Sequence, residues 1–145
     1  MTSYPDTSFL FSLYLPDANA RAAELEFRRS QPSLIFTPFN EVELITAVEA
    51  RIFRREVRPS QIHAALRALR ADIEAGVLIR NPVPEAAYER AIDLSRRYTR
   101  RIGARALDIL HVAIALELGA ETFFTFDRRQ HRLARGAGLR IRPTP

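Results

Sequence analysis

The sequence predicts a three-layer α/β/α sandwich with a central, mainly parallel five-stranded sheet. Short apolar or β-branched runs, typical of buried strands, alternate along the chain with longer segments of helical periodicity. A length of 145 residues is ordinary for one domain. No apolar run reaches the roughly 20 residues needed to cross a bilayer, and the first ten residues show no signal-peptide pattern. We therefore expect one soluble, cytoplasmic domain with no membrane partner.

Five segments are predicted to form the sheet. Residues 3–6 make a short first strand that ends at an acidic residue. Pro5 removes a ladder hydrogen bond from it, so we expect this strand to be short or bulged. The other strands are predicted from aliphatic, aromatic and β-branched runs, at residues 33–37, 77–79, 122–126 and 139–142.

Helix start and stop signals delimit the segments between these strands. Asn19 is expected to cap the second helix, and Thr37 followed by Pro38 predicts the start of the third. Gly119 follows a strongly apolar segment in the usual C-terminal position. The predicted helices cover residues 8–15, 19–29, 38–54, 59–76, 84–102, 106–118 and 128–137.

Four acidic residues fall next to strand ends or helix starts. Asp6 follows the first strand, Asp127 follows residues 122–126, and Glu43 and Asp108 lie early in their helices. In open α/β sheets, ligands bind beyond the carboxyl ends of the strands, so these side chains should share one edge. Carboxylates meeting there would repel one another unless they bound protons or a hard cation. Oxygen-only ligands favour Mg²⁺ or Mn²⁺.

Each acid also has an ordinary structural explanation. Asp6 and Asp127 suit the N-caps of the helices that follow them. Glu43 could complete a capping box with Asn40, and Asp108 could simply interact favourably with a helix N-terminus. The residues alone therefore leave both interpretations open and do not identify a reaction.

Composition excludes some site types and leaves open whether the chain has a polyanionic partner. Without cysteine, the chain has no thiolate zinc site, disulfide or thiol nucleophile. The net charge is +5, and the basic residues are arginines, whose planar guanidinium suits phosphate. A basic surface that is merely solvated explains the charge equally well. Arginines flank two of the acids at positions Arg96, Arg97, Arg100, Arg101, Arg105, Arg128, Arg129 and Arg132.

Three stretches together resemble the PIN-domain superfamily of ribonucleases, particularly the VapC-like toxins of type II toxin–antitoxin systems. They are YPDTSFLFSLYLPD at residues 4–17, TPFNEVELITAV at residues 37–48, and ARALDILHVAIALELGAETFFTFDRRQHRLARGAGLRI at residues 104–141. Order, spacing and length agree, so the resemblance covers essentially the whole chain. It implies one PIN-like nuclease domain over residues 1–145.

The resemblance also implies a function and a site. It implies an endoribonuclease that hydrolyses RNA with Mg²⁺ or Mn²⁺ held by Asp6, Asp108 and Asp127, while Glu43 binds the ion or orients the attacking water. Supporting hydroxyls would be Thr7 or Ser8 and Thr125. The RNA-binding candidates are Arg97, Arg100, Arg101, Arg105, Arg128 and Arg129.

The implied partners are an RNA substrate, a cognate antitoxin and a second copy in a homodimer. The chain departs from the family at Pro5, where an aliphatic residue is usual. The alternative function is a catalytically silent PIN-like module that binds RNA or protein. We do not assign catalysis to His111 or His131; a supporting hydrogen bond is the expected role of His111.

Overall fold

The computed structural model of the chain describes residues 1–144, and five strands within them form one sheet. The strands are β1 (Thr2–Pro5), β2 (Ser33–Phe36), β3 (Leu78–Arg80), β4 (Thr122–Phe124) and β5 (Arg140–Arg142). Their order is β3-β2-β1-β4-β5, and every neighbouring pair is parallel. The predicted fold class is confirmed, with all rather than most of the described strands parallel.

Helices connect and cover these strands. They are α1 (Thr7–Tyr14), α2 (Ala20–Ser30), α3 (Pro38–Phe53), α4 (Pro59–Glu74), α5 (Ala86–Leu94), α6 (Arg100–Ile102), α7 (Ala106–Glu117) and α8 (Arg128–Gly136). A π-helical segment, Ser95–Thr99, joins α5 to α6. Within residues 1–144, no helix combines the length and apolar character needed to cross a bilayer.

Each face of the sheet carries its own core because successive strand side chains point to opposite faces. Leu34 and Phe36 of β2 pack with buried residues of α1, α3 and α4. Ile35, between them, packs on the opposite side with buried residues of α5, α7 and α8. Burying a Leu, Ile or Phe side chain is worth roughly 1.5–3 kcal/mol, so both helical layers are held mainly by apolar contact.

Pro5 is accommodated at the last position of a central strand. It pairs with Phe124, and the ladder resumes immediately afterwards because the Asp6 amide donates to the Phe124 carbonyl at 3.0 Å. The Asn40 side-chain amide donates to the Pro5 carbonyl at 3.0 Å. The missing N–H therefore falls where the strand ends, as expected for proline in a sheet.

One predicted side-chain cap is wrong, and one capping box that the sequence left open does not form. The Asn19 side chain makes no capping hydrogen bond to α2; instead the Asn19 backbone amide donates to the Asp17 carboxylate at 2.8 Å. Glu43 does not form a capping box with Asn40, because Asn40 pairs with Thr37: each side chain accepts from the other's backbone amide, at 2.8 and 3.2 Å. Thr37 is the N-cap of α3, as predicted.

Some predicted boundaries also shift. The third strand begins one residue later, at Leu78, and β4 ends at Phe124 rather than at residue 126. Past β4 the chain turns away, and the Phe126 amide binds the Ser8 hydroxyl at 2.9 Å instead of a neighbouring strand. The helix predicted over residues 84–102 is not uniform, since its middle is π-helical.

Candidate functional site

The four predicted acids line one cleft at the carboxyl edge of the sheet. We call it the acidic cleft, and its walls are Asp6, Thr7, Ser8, Glu43, Asp108, His111, Asp127 and Gln130. The chain passes from β3, on one side of β1, to β4 on the other, so strand order reverses between β1 and β4. Asp6 follows β1 and Asp127 follows β4. The cleft thus lies at the switch point where open α/β sheets bind ligands.

Asp6 is buried at the floor of the acidic cleft and held by three donors. Its Oδ1 accepts from the Ser8 hydroxyl at 2.6 Å and from the Phe9 amide at 3.0 Å, which caps α1. Its Oδ2 accepts from the Thr125 hydroxyl at 2.5 Å. Burial raises the pKa of Asp6 above its ordinary value, and the hydrogen bonds from Ser8 and Thr125 oppose that rise. The site therefore holds a carboxyl group that a bound cation would help to ionise.

Asp108 and Asp127 stand at the starts of α7 and α8. The Asp127 Oδ1 accepts from the amides of Arg129 and Gln130 at 2.8 and 2.9 Å, so it is the N-cap of α8. The Asp108 Oδ2 accepts from the Arg105 amide at 3.0 Å and lies 4.0 Å from the Arg129 guanidinium. The capping explanations of Asp6 and Asp127 are therefore confirmed, and Asp108 also satisfies an exposed helix amide.

Glu43 lies beside a buried histidine. The His111 Nε2 lies 3.3 Å from the Glu43 Oε1, and the His111 Nδ1 lies 2.8 Å from the Tyr4 hydroxyl. Burial raises the pKa of Tyr4, so the phenol stays protonated and can donate to Nδ1. That assignment leaves the proton on Nε2, facing Glu43 and the Thr7 hydroxyl at 3.3 Å. His111 thus makes hydrogen bonds to Tyr4 and Thr7, as expected from the sequence.

Three of the carboxylates are anchored through one oxygen only. Oδ2 of Asp108 and Oδ1 of Asp127 accept backbone hydrogen bonds, and Oε1 of Glu43 contacts the His111 Nε2 at 3.3 Å. In the described part of the chain, the second oxygen of each makes no hydrogen bond. One oxygen thus sets the direction of the side chain, and the other is left for a ligand.

The donor set suits a hard cation, although the side chains are not yet gathered around one. Among residues 1–144, no three His, Asp or Glu side chains are close enough to surround an ion as they stand. The contacts of the carboxylates explain this spacing: Asp108 and Asp127 are turned toward the first turns of their own helices, and Glu43 is turned toward His111. Apart from His111, the polar side chains of the cleft offer oxygen ligands, four of them carboxylates, and such a set fits Mg²⁺ or Mn²⁺ rather than zinc.

Arginines line two clefts that adjoin the acidic cleft at Asp127. The first, the α8 cleft, is lined by Ile102, Asp127, Arg128, Arg129 and Arg132. The second, the α3 cleft, includes Arg51 and Arg54 beside Thr7, Ser8 and Asp127. Arg51 and Arg54 are paired with Glu56, at 3.2 and 2.9 Å, whereas Arg128 and Arg132 form no ion pair within residues 1–144. A phosphate beside the acidic cleft would therefore find its unpaired guanidinium groups in the α8 cleft.

The predicted arginines divide into two groups. Arg128 and Arg129 line the α8 cleft. Arg97, Arg100, Arg101 and Arg105 are exposed before α7 and line none of these clefts, so their binding of RNA stays a prediction.

Some residues of the site were missed from the sequence. Arg51 and Arg54 follow Glu43 at helical spacing through Ala47 and Ala50, so the α3 periodicity could have placed them on its face. Gln130 lines the acidic cleft with its Oε1 buried and without a hydrogen-bond partner in residues 1–144. Its only sequence signal is its position three residues after Asp127.

Comparisons with known proteins agree with this geometry. A family model described as PIN domain matches residues 3–136. No curated protein sequence matches the chain significantly.

Among solved structures, the chain is similar to Mycobacterium tuberculosis VapC20, a toxin that cleaves the sarcin–ricin loop. The TM-score is 0.66 at 21% identity, with 94% of this chain and 95% of that chain covered. It is also similar to VapBC2 of Rickettsia felis bound to a promoter DNA fragment (0.62, 17% identity, 97% of each chain). A third is FitAcB of Neisseria gonorrhoeae (0.55, 17% identity, 96% and 95%). At these identities the likeness concerns the fold.

Proposed function

Because the chain belongs to the PIN domain family, we propose that it is a Mg²⁺- or Mn²⁺-dependent endoribonuclease and the toxin of a toxin–antitoxin pair. One observation carries the proposal. Asp6, Glu43, Asp108 and Asp127, which come from four separate parts of the chain, line a single cleft at the switch point of the sheet. Similarity to a toxin that cleaves the sarcin–ricin loop supports the substrate and the biological class.

The residues have distinct parts in this proposal. Asp6, Asp108 and Asp127 would hold the cation, and Glu43 would either join them or orient the attacking water. A bound divalent cation supplies a water of lowered pKa and stabilises charge developing on the phosphate. Arg128 and Arg129 would neutralise the substrate phosphates beside the cleft.

The hydroxyls and His111 act on the carboxylates rather than on the substrate. Ser8 and Thr125 fix Asp6 while their own oxygens accept the amides of Phe126 and Asp127, both at 2.9 Å. These hydrogen bonds connect the loop after β4 to the start of α1. Carboxylates held in this way need little reorganisation when the substrate arrives, which is the basis of electrostatic preorganisation.

The proposal extends to the partners. The Rickettsia felis neighbour is a VapBC complex by its name, which supports a cognate antitoxin for this chain. A homodimer is supported by large apolar side chains that stay exposed on α3 and α5, among them Val42, Tyr88 and Ile92. Light scattering with and without a co-expressed antitoxin measures both. A cytoplasmic location is part of the same proposal.

Cleavage of a labelled RNA by the purified chain tests the activity. We expect cleavage with Mg²⁺ or Mn²⁺, none with a chelator, and a loss of at least a hundredfold in Asp108→Asn. Asp93→Asn, an exposed acid of α5 outside the cleft, is the matched control and should cleave normally. Normal cleavage by Asp108→Asn would overturn the site, and RNA binding without cleavage by the wild type would favour a silent binding module.

A further inference from the structure

A groove with mostly apolar walls lies directly beside the acidic cleft. It runs between α2, α8 and the segment after β5, has a volume of about 660 Å³, and shares Thr125 and Asp127 with the surroundings of the acidic cleft. Sites that bind small molecules typically measure roughly 300–1,000 Å³. The groove therefore has room for one planar ring system.

The walls offer flat, rigid surfaces. Phe126 lines the groove and stacks on Phe9, with ring centroids 5.7 Å apart and an angle of 18° between the planes, so its ring is fixed from behind. The His131 imidazole provides a second aromatic side chain, and Ala22 and Pro143 complete the apolar lining. Nucleobases stack on such surfaces without needing hydrogen-bond readout.

The rim of the groove is positively charged. Arg128 and Arg132, one turn apart on α8, line both the groove and the α8 cleft. An occupant that satisfies both features must carry a flat apolar part and a nearby negative charge. A nucleotide has this composition, since its base is planar and its phosphate is anionic.

We infer that this groove is a subsite for one unpaired nucleobase of the RNA strand, adjacent to the phosphate that enters the acidic cleft. Asp127 borders both spaces, so a base in the groove belongs to a nucleotide next to that phosphate. The inference rests on the proposed function for its substrate class. It adds that the strand must be single-stranded at the groove, because a paired base cannot enter it.

Filling the groove tests this inference. Ala22 is exposed on α2 and lines the groove, so Ala22→Trp occupies the space without opening the core. Ala64→Trp, at an exposed position of α4 away from these clefts, is the matched control. The probes are fluorescein-labelled hexaadenylate and a hexamer of the same backbone without bases, both titrated by anisotropy in chelator.

We expect the wild type to bind hexaadenylate about tenfold more tightly than the abasic hexamer, the scale of one stacked base. Ala22→Trp should bring that ratio close to one and leave the abasic affinity unchanged, while Ala64→Trp behaves as the wild type. Arg132→Gln should weaken binding of both hexamers alike.

Three outcomes would overturn the subsite: no base preference in the wild type, a preference that survives in Ala22→Trp, or an equal loss of both hexamers in that variant. A base preference that survives in Ala22→Trp would favour a protein partner as the occupant of the groove. Because no cleavage is measured here, failure of the nuclease proposal appears separately, as an intact base preference without Mg²⁺-dependent cleavage.

Discussion

Replacing Asp6 by asparagine should stabilise the metal-free protein at neutral pH while abolishing its activity. The asparagine oxygen can keep the hydrogen bonds from Ser8 and the Phe9 amide that Oδ1 accepts now. Its nitrogen can donate to the Thr125 hydroxyl, which rotates to accept. The substitution thus preserves the geometry and removes only the buried charge.

The sign follows from the raised pKa of Asp6, caused chiefly by burial. The folded chain holds the Asp6 proton more tightly than the unfolded chain does. This contribution to stability is complete at pH values below the pKa of Asp6 in the unfolded chain. That contribution is lost as pH rises through the folded pKa. Each unit of the rise corresponds to about 1.4 kcal/mol. At neutral pH Asp6→Asn should therefore be more stable than the metal-free wild type. A gain of about 1 kcal/mol would raise the Tm by roughly 2–4 °C for a chain of this size.

Thermal unfolding in chelator, followed by circular dichroism between acidic and neutral pH, measures the effect. The Tm of the wild type should decline relative to that of Asp6→Asn as pH rises, and added Mg²⁺ should raise only the wild-type Tm, because ligands stabilise the state that binds them. A metal-free Asp6→Asn protein that is less stable than the wild type at neutral pH would refute this account of the buried charge.

Three further predictions concern helix packing at Gly136, the hydrogen bond between Tyr4 and His111, and the charge of Arg132. Gly136→Ala should destabilise the fold by about 1–3 kcal/mol in urea unfolding, because a Cβ at this position would lie 2.9 Å from the Tyr98 ring. Alanine normally stabilises a helix relative to glycine, so the cost should vanish in a Tyr98→Ala background. Tyr4→Phe leaves the buried His111 Nδ1 without its donor, which should cost about 1–3 kcal/mol in the same assay and lower kcat more than it changes KM. Arg132→Gln should reduce the slope of log affinity for single-stranded RNA against log salt by about 0.7, and an unchanged slope would remove Arg132 from the phosphate path.

Most of the layer architecture could be predicted because its signals are local. Pro38 and Pro59 mark helix starts, and alternation in SLIF places Leu34 and Ile35 on opposite faces of the sheet. The π-helical segment Ser95–Thr99 could not be predicted, because its sequence is ordinary for a helix. Its Tyr98 hydroxyl donates to the Gly136 carbonyl at 2.6 Å, a contact between residues far apart in sequence.

The candidate site was predictable in part for the same reason. Strand ends and helix starts indicate where Asp6 and Asp127 lie, and the parallel sheet brings those ends to one edge. The hydrogen bonds of Asp6 to Thr125 and of Tyr4 to His111 join residues more than 100 positions apart, so only the folded chain reveals them. The groove beside Asp127 likewise depends on α2, α8 and the C-terminal segment meeting.

Helix capping and cation binding by Asp127 do not compete, because they need different oxygens of its carboxylate. Both capped amides bind Oδ1, which leaves Oδ2 for an ion. Asparagine caps helices about as well as aspartate, so Asp127→Asn should unfold within about 0.5 kcal/mol of the wild type, whereas Asp127→Ala should lose about 1 kcal/mol. Both should lose Mn²⁺ binding by calorimetry, because both lack the charge. If Asp127→Asn bound Mn²⁺ as the wild type does, the residue would be a cap alone and the acidic cleft would have to work with three carboxylates.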